Sequence, residues 1–214
     1  MNDNSIIQDL IDEKIVSLSL DKPFKYASGI LSPIYTDLRL TISYPSLRAK
    51  IADGLVNIIK NKYPDVTVIG GVVTAGIPHA TLVAEKLGLP LIYVRSKPKD
   101  HGAGKQTEGR VTKDDKVLLI DDLISTGGSV LGAAKALQRD GINVAGIISI
   151  FTYEFPDATN NFAKAGINFE SLLKYSDLIN KGYEEKQFND QQFEKLNSWH
   201  QDAWAWTKKE QSND

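Results

Sequence analysis

Val117 to Ser129 reads VLLIDDLISTGGS, and the architecture of the chain follows from it. Its apolar run predicts a buried strand over Lys116 to Ile120. That strand delivers two adjacent carboxylates, Asp121 and Asp122, to its C-terminal end. The chain then turns through Ser125-Thr126-Gly127-Gly128-Ser129 into a helix running from about Ser129 to Arg139, closed by Gly141. The same rhythm recurs on either side. DVTVIGGVV (65–73), LPLIYV (89–94) and the run from Val144 to Phe151 read as further strands. Between the first two, Pro78 suits a first helical position and Gly88 the residue just past a helix end. Strand–helix–strand succession predicts an α/β fold with a central, mostly parallel sheet flanked by helices.

In open sheets of this kind, ligands bind beyond the C-terminal ends of the strands. The Ser/Thr/Gly turn offers hydroxyls and free backbone N–H groups at a helix N-terminus, which suits a phosphate dianion. Asp121 and Asp122 beside it suit vicinal ribose hydroxyls, or a Mg²⁺ ion reached directly or through the sugar. Together they describe a cradle for ribose 5-phosphate. The stretch is neither a Walker A loop nor G-x-G-x-x-G. A capped surface turn would account for one Asp and not for the whole run.

The flanks follow other patterns. Pro45 to Tyr63 predicts an amphipathic helix with Leu47, Ile51, Leu55 and Ile58 on one face. Within a single domain (1–214), residues 1–43 read as a helix and short strands forming a small N-terminal hood. Residues 44–169 form the core, and 170–214 a helical end. Trp199, Trp204 and Trp206 in that end are read as packing residues. From Arg95 to Arg110 the sequence runs RSKPKDHGAGKQTEGR, with no apolar residue larger than Ala. Sixteen such residues between two strands read as a flexible lid. The lid carries five Lys or Arg against two Asp or Glu, a local charge of +3.

The 214 residues carry 25 Lys plus Arg against 27 Asp plus Glu, a net charge of −2 with the three His neutral. Hydrophobic residues at 42% and charged residues at 24% are those of a globular chain. The charge balance argues against a general nucleic-acid or membrane-surface binder. The absence of Cys excludes disulfides and thiol chemistry. No apolar run approaches the roughly 20 residues that span a bilayer, and the N-terminal MNDNSIIQDLIDEKIV reads as a helix, not a signal peptide. The expectation is a soluble, cytoplasmic protein.

VLLIDDLISTGGS resembles the phosphoribosyl-diphosphate (PRPP) motif of the type I phosphoribosyltransferases. Two further segments resemble one branch, the orotate phosphoribosyltransferases: RSKPKDHGAGKQTEG (95–109) is similar to their lid, and SGILSPIYTDLR (28–39) to their N-terminal substrate-side segment. The resemblance implies the type I phosphoribosyltransferase fold. It also implies transfer of ribose 5-phosphate from PRPP to N1 of orotate, with Mg²⁺ bound mainly through PRPP or pyrophosphate and no protein residue assigned as its ligand. By the same resemblance PRPP would be held by Arg95, Lys99 and His101 of the lid, by Asp121 and Asp122, and by Leu123, Ile124, Ser125, Thr126, Gly127, Gly128 and Ser129. Lys99 would be the main electrostatic catalyst. Ser125 would also face orotate, and Tyr35 stands at an aromatic position beside the base. A homodimer is implied, each lid closing over its neighbour's site. Ala27, Ala75 and Ser96 stand where enteric members of the family carry basic residues. A purine phosphoribosyltransferase would share 117–129 but lack this lid and SPIYTDLR. A PRPP-sensing regulator would need a basic DNA-binding extension, and residues 1–43 are too short and too little basic for one.

Overall fold

The computed structural model describes residues 3–26, 28–97 and 106–212. It begins with α1 (Asp3–Asp12) and four short strands, β1 (Val16–Leu18), β2 (Phe24–Lys25), β3 (Leu31–Ser32) and β4 (Ile34–Thr36). A 3-10 turn over Leu38–Ser43 leads into α2 (Pro45–Lys62). Then come β5 (Val68–Val72), α3 (Gly76–Leu87), β6 (Leu91–Val94), β7 (Thr107–Glu108), β8 (Lys116–Ile124), α4 (Gly128–Arg139), β9 (Asn143–Thr152), α5 (Pro156–Ala165) and β10 (Phe169–Lys174). Helices α6 (Tyr175–Glu184), α7 (Asp190–Gln201) and α8 (Ala203–Gln211) follow. No helix among the described residues is long and apolar enough to cross a membrane.

Six strands form one sheet in the order β10-β9-β8-β5-β6-β7, parallel throughout except for β7, which runs antiparallel to β6. Side chains alternate across a strand, and on β8 the alternation feeds two cores. Val117 and Leu119 pack with Val130, Ala134 and Leu137 of α4, while Leu118 and Ile120 join Ile51 and Leu55 of α2. All four β8 residues are fully buried, which is why this strand is a continuous apolar run.

Several boundaries differ from the sequence expectation. Strand β8 does not stop at Ile120, because β9 runs alongside it as far as Ile124 opposite Thr152; Asp121 and Asp122 lie within the strand. The C-terminal part is not helical from residue 170. Phe169–Lys174 is an edge strand paired with β9, and its mostly half-buried side chains give it no strong apolar signature. On α2 the inward face uses Ile59, with Ile58 only half-buried. Pro78 is the third residue of α3, not the first, and Gly88 ends that helix at φ 66°. Trp199 and Trp206 are buried, whereas Trp204 is exposed and donates its indole N–H to Asp157 Oδ2 at 2.8 Å.

The hood is fastened to the core. Ile6, Ile7 and Leu10 of α1 share one apolar cluster with Trp199, Leu178 and the inner face of the sheet. His79 on α3 is 1% exposed, and its Nε2 lies 3.1 Å from Thr41 Oγ1 in the 3-10 turn. Because Thr41 Oγ1 donates to Leu38 O at 2.6 Å, His79 is the donor in this pair. Burial, with Arg48 nearby, pushes its pKa down to about 4, so it stays neutral.

Helix α3 begins hard against β8: a Cβ on Gly76 would sit 2.2 Å from Ile120 O. Neither backbone can yield, so Gly76→Ala is expected to cost about 2 kcal/mol or more. This would lower the melting temperature by roughly 5 °C in a chain of this size, as read by calorimetry. An unchanged melt would contradict the close approach.

Candidate active site

The C-terminal ends of β5 and β8, the start of α4 and the hood enclose a cavity of about 580 Å³. Strand β8 carries Asp121 and Asp122 to its floor. Neighbouring side chains on a strand point to opposite faces, yet both line the cavity, because it wraps around the strand's end. Asp121 is only 8% exposed, and its Oδ1 accepts the backbone N–H of Asp122 at 3.0 Å. Burial raises its pKa well above the usual carboxylate range, and the charge of Asp122 adds to the effect. Burial raises Asp122 too, offset in part by hydrogen bonds and by the Arg39 guanidinium. Two adjacent carboxylates short of water favour an arriving donor: a hydroxyl or a cation.

After β8 the chain turns through Ser125 to Ser129, all of which line the cavity. Gly127 sits at φ 78° as the N-cap of α4, and a Cβ there would meet Phe162 Cε2 at 2.7 Å. Gly128 differs: its nearest potential neighbour is Thr126 Oγ1 at 3.9 Å. Packing and backbone conformation therefore demand glycine at 127 but not at 128. What Gly128 provides is backbone open to the cavity, at a helix terminus whose first N–H groups lack helical partners. Asn161 Nδ2 steadies the turn by donating to Thr126 O at 3.0 Å. Ser125 Oγ is buried with no protein partner among the described residues. These features suit an anionic phosphate group.

Of the residues expected from the sequence, Asp121, Asp122, Leu123, Ser125, Thr126, Gly127, Gly128, Ser129 and Tyr35 line this cavity. Ile124 does not: it turns into the core at 1% exposure, and its carbonyl accepts the N–H of Tyr153. Arg95 does not line it either. Its backbone N–H donates to Gln106 O at 2.8 Å, while its own carbonyl accepts from Gln106 Nε2 at 2.9 Å. With Tyr93 and Val94 paired to β7, these bonds zip the base of the expected lid into a hairpin, so 95–110 is not loose throughout. Lys99 and His101 lie outside the described residues, as does Ala27.

The cavity also has walls that the sequence reading did not assign. The hood contributes Lys25, Tyr26, Asp37 and Arg39, and the segment before α3 contributes Thr74 and Ala75. Arg39 donates from Nε and Nη2 to the two oxygens of Asp37 at 2.6 and 3.0 Å, and from Nη2 to Tyr35 Oη at 3.1 Å. A signal was present in SPIYTDLR, where a Tyr, an Asp and an Arg recur at every second position.

A model of the phosphoribosyl transferase domain matches residues 43–159. The chain is 58% identical over 209 residues to the orotate phosphoribosyltransferase of Lactobacillus johnsonii, covering 98% of this chain and 99% of the relative. It is 51% identical over 201 residues to that of Levilactobacillus brevis, covering 94% and 96%. Among solved structures it is similar to Leishmania donovani UMP synthase, at a TM-score of 0.81 and 26% identity over 94% of this chain and 42% of that one. It is also similar in fold to the orotate phosphoribosyltransferase of Aeropyrum pernix, at a TM-score of 0.71 and 24% identity over 82% and 98%.

The two glycines of the turn should separate under mutation. Gly127→Ala is expected to destabilise the protein by about 1 kcal/mol or more, through φ and the Phe162 contact. Gly128→Ala should melt within about 1 °C of the native protein yet bind ribose 5-phosphate roughly tenfold or more weakly by titration calorimetry. Equal melting temperatures for both variants would refute this division.

Proposed function

The chain belongs to the orotate phosphoribosyltransferases, and from that premise we propose how its cavity transfers the 5-phosphoribosyl group of PRPP to N1 of orotate, releasing pyrophosphate in pyrimidine nucleotide synthesis. The observation that carries the assignment is one cavity holding the Asp121–Asp122 pair, the open turn at Gly128 and the aromatic hood residues Tyr26 and Tyr35.

In this reading the 5′-phosphate lies on the N–H groups of Gly127 to Ser129, where the α4 dipole favours negative charge. Asp121 and Asp122 accept hydrogen bonds from the ribose hydroxyls, which relieves the desolvation of both carboxylates. As the bond from C1 to pyrophosphate lengthens, the sugar gains oxocarbenium character, and negative charge beside the ring favours that state. Ser125 Oγ, which has no protein partner among the described residues, faces the pyrimidine. Phosphoribosyltransferases use Mg²⁺ with PRPP. Asp121 and Asp122, carboxylates short of donors on the cavity floor, are the side chains that would face an ion carried mainly on PRPP or pyrophosphate. When bound, the ion neutralises charge on the leaving group.

Arg95, Lys99 and His101 supply the remaining positive charge around pyrophosphate, Lys99 as the main electrostatic catalyst. Closure of the lid excludes water that would otherwise capture the sugar. The lid closes over the cavity of a second copy in a homodimer. Arg95 supports that reading: it does not line its own chain's cavity, and its buried Nε has no partner among the described residues.

Mixing the protein with Mg²⁺, PRPP and either orotate, hypoxanthine or xanthine, and following base absorbance, tests the function. Orotate should be consumed and the purines left; the reverse would overturn the reading. Lys99→Ala should leave the melting temperature unchanged and lower turnover on the order of 10²-fold or more. Near-native rates in a folded Lys99→Ala variant would remove Lys99 from this role.

A further inference from the structure

The charged residues lining the cavity are unequally satisfied. Asp37 holds Arg39 through both carboxylate oxygens, so that cation already has a partner. Lys25, on β2, also lines the cavity, and no ion pair or hydrogen bond engages its ammonium among the described residues. It is therefore the uncompensated cation of the described lining. Its chain neighbour Tyr26 and the nearby Tyr35, with ring centroids 6.3 Å apart, form an aromatic wall; Phe24 lies 5.5 Å from Tyr35. This wall belongs to the hood, across the cavity from the phosphate-binding turn on the core. A cavity lined by both an unpaired ammonium and aromatic side chains suits a flat, anionic ring.

We propose that Lys25 is a specificity-determining residue whose ammonium pairs with the carboxylate of orotate, and that Thr207 and Trp199 position the hairpin that carries it. The inference rests on the reading of the cavity given above.

Strand register fixes how the hairpin is held. Strands β2 and β3 are two residues each, too short to hold themselves in water. Lys25 pairs with Leu31, and the next pair is bonded through Tyr26 N–H to Ile30 O at 2.8 Å. Hydrogen-bonded and non-bonded pairs alternate along an antiparallel ladder, so the N–H and C=O of Leu31 point away from β2. Both find side-chain partners more than 160 residues along the chain. Leu31 N–H donates to Thr207 Oγ1 at 2.9 Å, and Trp199 Nε1–H donates to Leu31 O at 2.8 Å. Thr207 Oγ1 in turn donates to Ala203 O at 2.7 Å, which leaves its lone pairs for Leu31. Helices α7 and α8 thus clamp the strand facing Lys25, although neither Trp199 nor Thr207 lines the cavity.

Steady-state kinetics on full-length Lys25→Met and Lys25→Arg test the proposal, with orotate and PRPP varied separately. Lys25→Met should raise the KM for orotate about tenfold or more and leave the KM for PRPP within about twofold. Its melting temperature should be native, since the side chain is exposed and unpaired. Lys25→Arg should keep most of the affinity. Uracil, the same ring without the carboxylate, should inhibit native and Lys25→Met proteins with equal constants. Thr207→Val should raise the KM for orotate in the same direction, and Thr207→Ser should restore it. A rise in the KM for PRPP instead, or equal weakening of orotate and uracil, would overturn the carboxylate contact. A Thr207→Val protein that melts lower with its KM for orotate intact would overturn the positioning role. Failure of the native protein to consume orotate would refute the underlying function, a distinct outcome from any of these.

Discussion

The Asp121 carboxylate is held 8% exposed within β8, after four buried apolar residues and beside a second carboxylate, and burial makes its charged form costly. No Lys or Arg forms a salt bridge with it among the described residues; its recorded partner is the N–H of Asp122. Leaving such a group short of donors lowers the stability of the free protein and raises its affinity for a ligand that brings them. Much of the architecture serves to keep the group there. Val117 to Ile120 anchor β8 in both cores, β9 runs alongside through residue 124, and Gly76 lets α3 start against the Ile120 carbonyl.

The opposite wall is held by different means. The strands of the hood are only two or three residues long, so its shape depends on side-chain bonds, both within the hood and to distant residues. His79 donates to Thr41, Tyr26 Oη donates to Ile34 O, and Leu31 is held between Thr207 and Trp199. His200, one residue beyond Trp199, places a ring nitrogen 2.7 Å from the carbonyl of Tyr153, another residue of the cavity wall. The C-terminal helices are thus a scaffold for the substrate side of the site.

How much of this was legible in the sequence depended on whether the cause was local. The run VLLI, the acidic pair and the turn through Gly127 announced themselves because strand burial and helix starts act over a few residues. Gly88 marked a helix end for the same reason. Phe169–Lys174 escaped because an edge strand is half-buried on both faces and shows no strong period. The pairing of Thr107 and Glu108 with β6 was hidden in a polar segment, where backbone bonds and not side chains form the strand. Lys25 could not be assigned from spacing, and the alternation in SPIYTDLR marked Arg39 without showing its partner. The first is placed by residues more than 160 positions away, and the second is neutralised by Asp37 in a way that only geometry reveals.

Whether ligand relieves a carboxylate that the fold holds at a cost is read by thermal melts of the native protein and Asp121→Asn, with and without PRPP–Mg²⁺. A carboxylate whose pKa is raised on folding costs nothing below its unfolded value, near 4, and costs progressively more as pH rises through its folded value. The account predicts that unliganded Asp121→Asn melts higher than the native protein by roughly 2–4 °C or more at neutral pH, with the gap closing toward pH 4. It also predicts that PRPP–Mg²⁺ stabilises the native protein far more than the variant. A variant that melts lower, or gains as much from PRPP–Mg²⁺ as the native protein does, would contradict it.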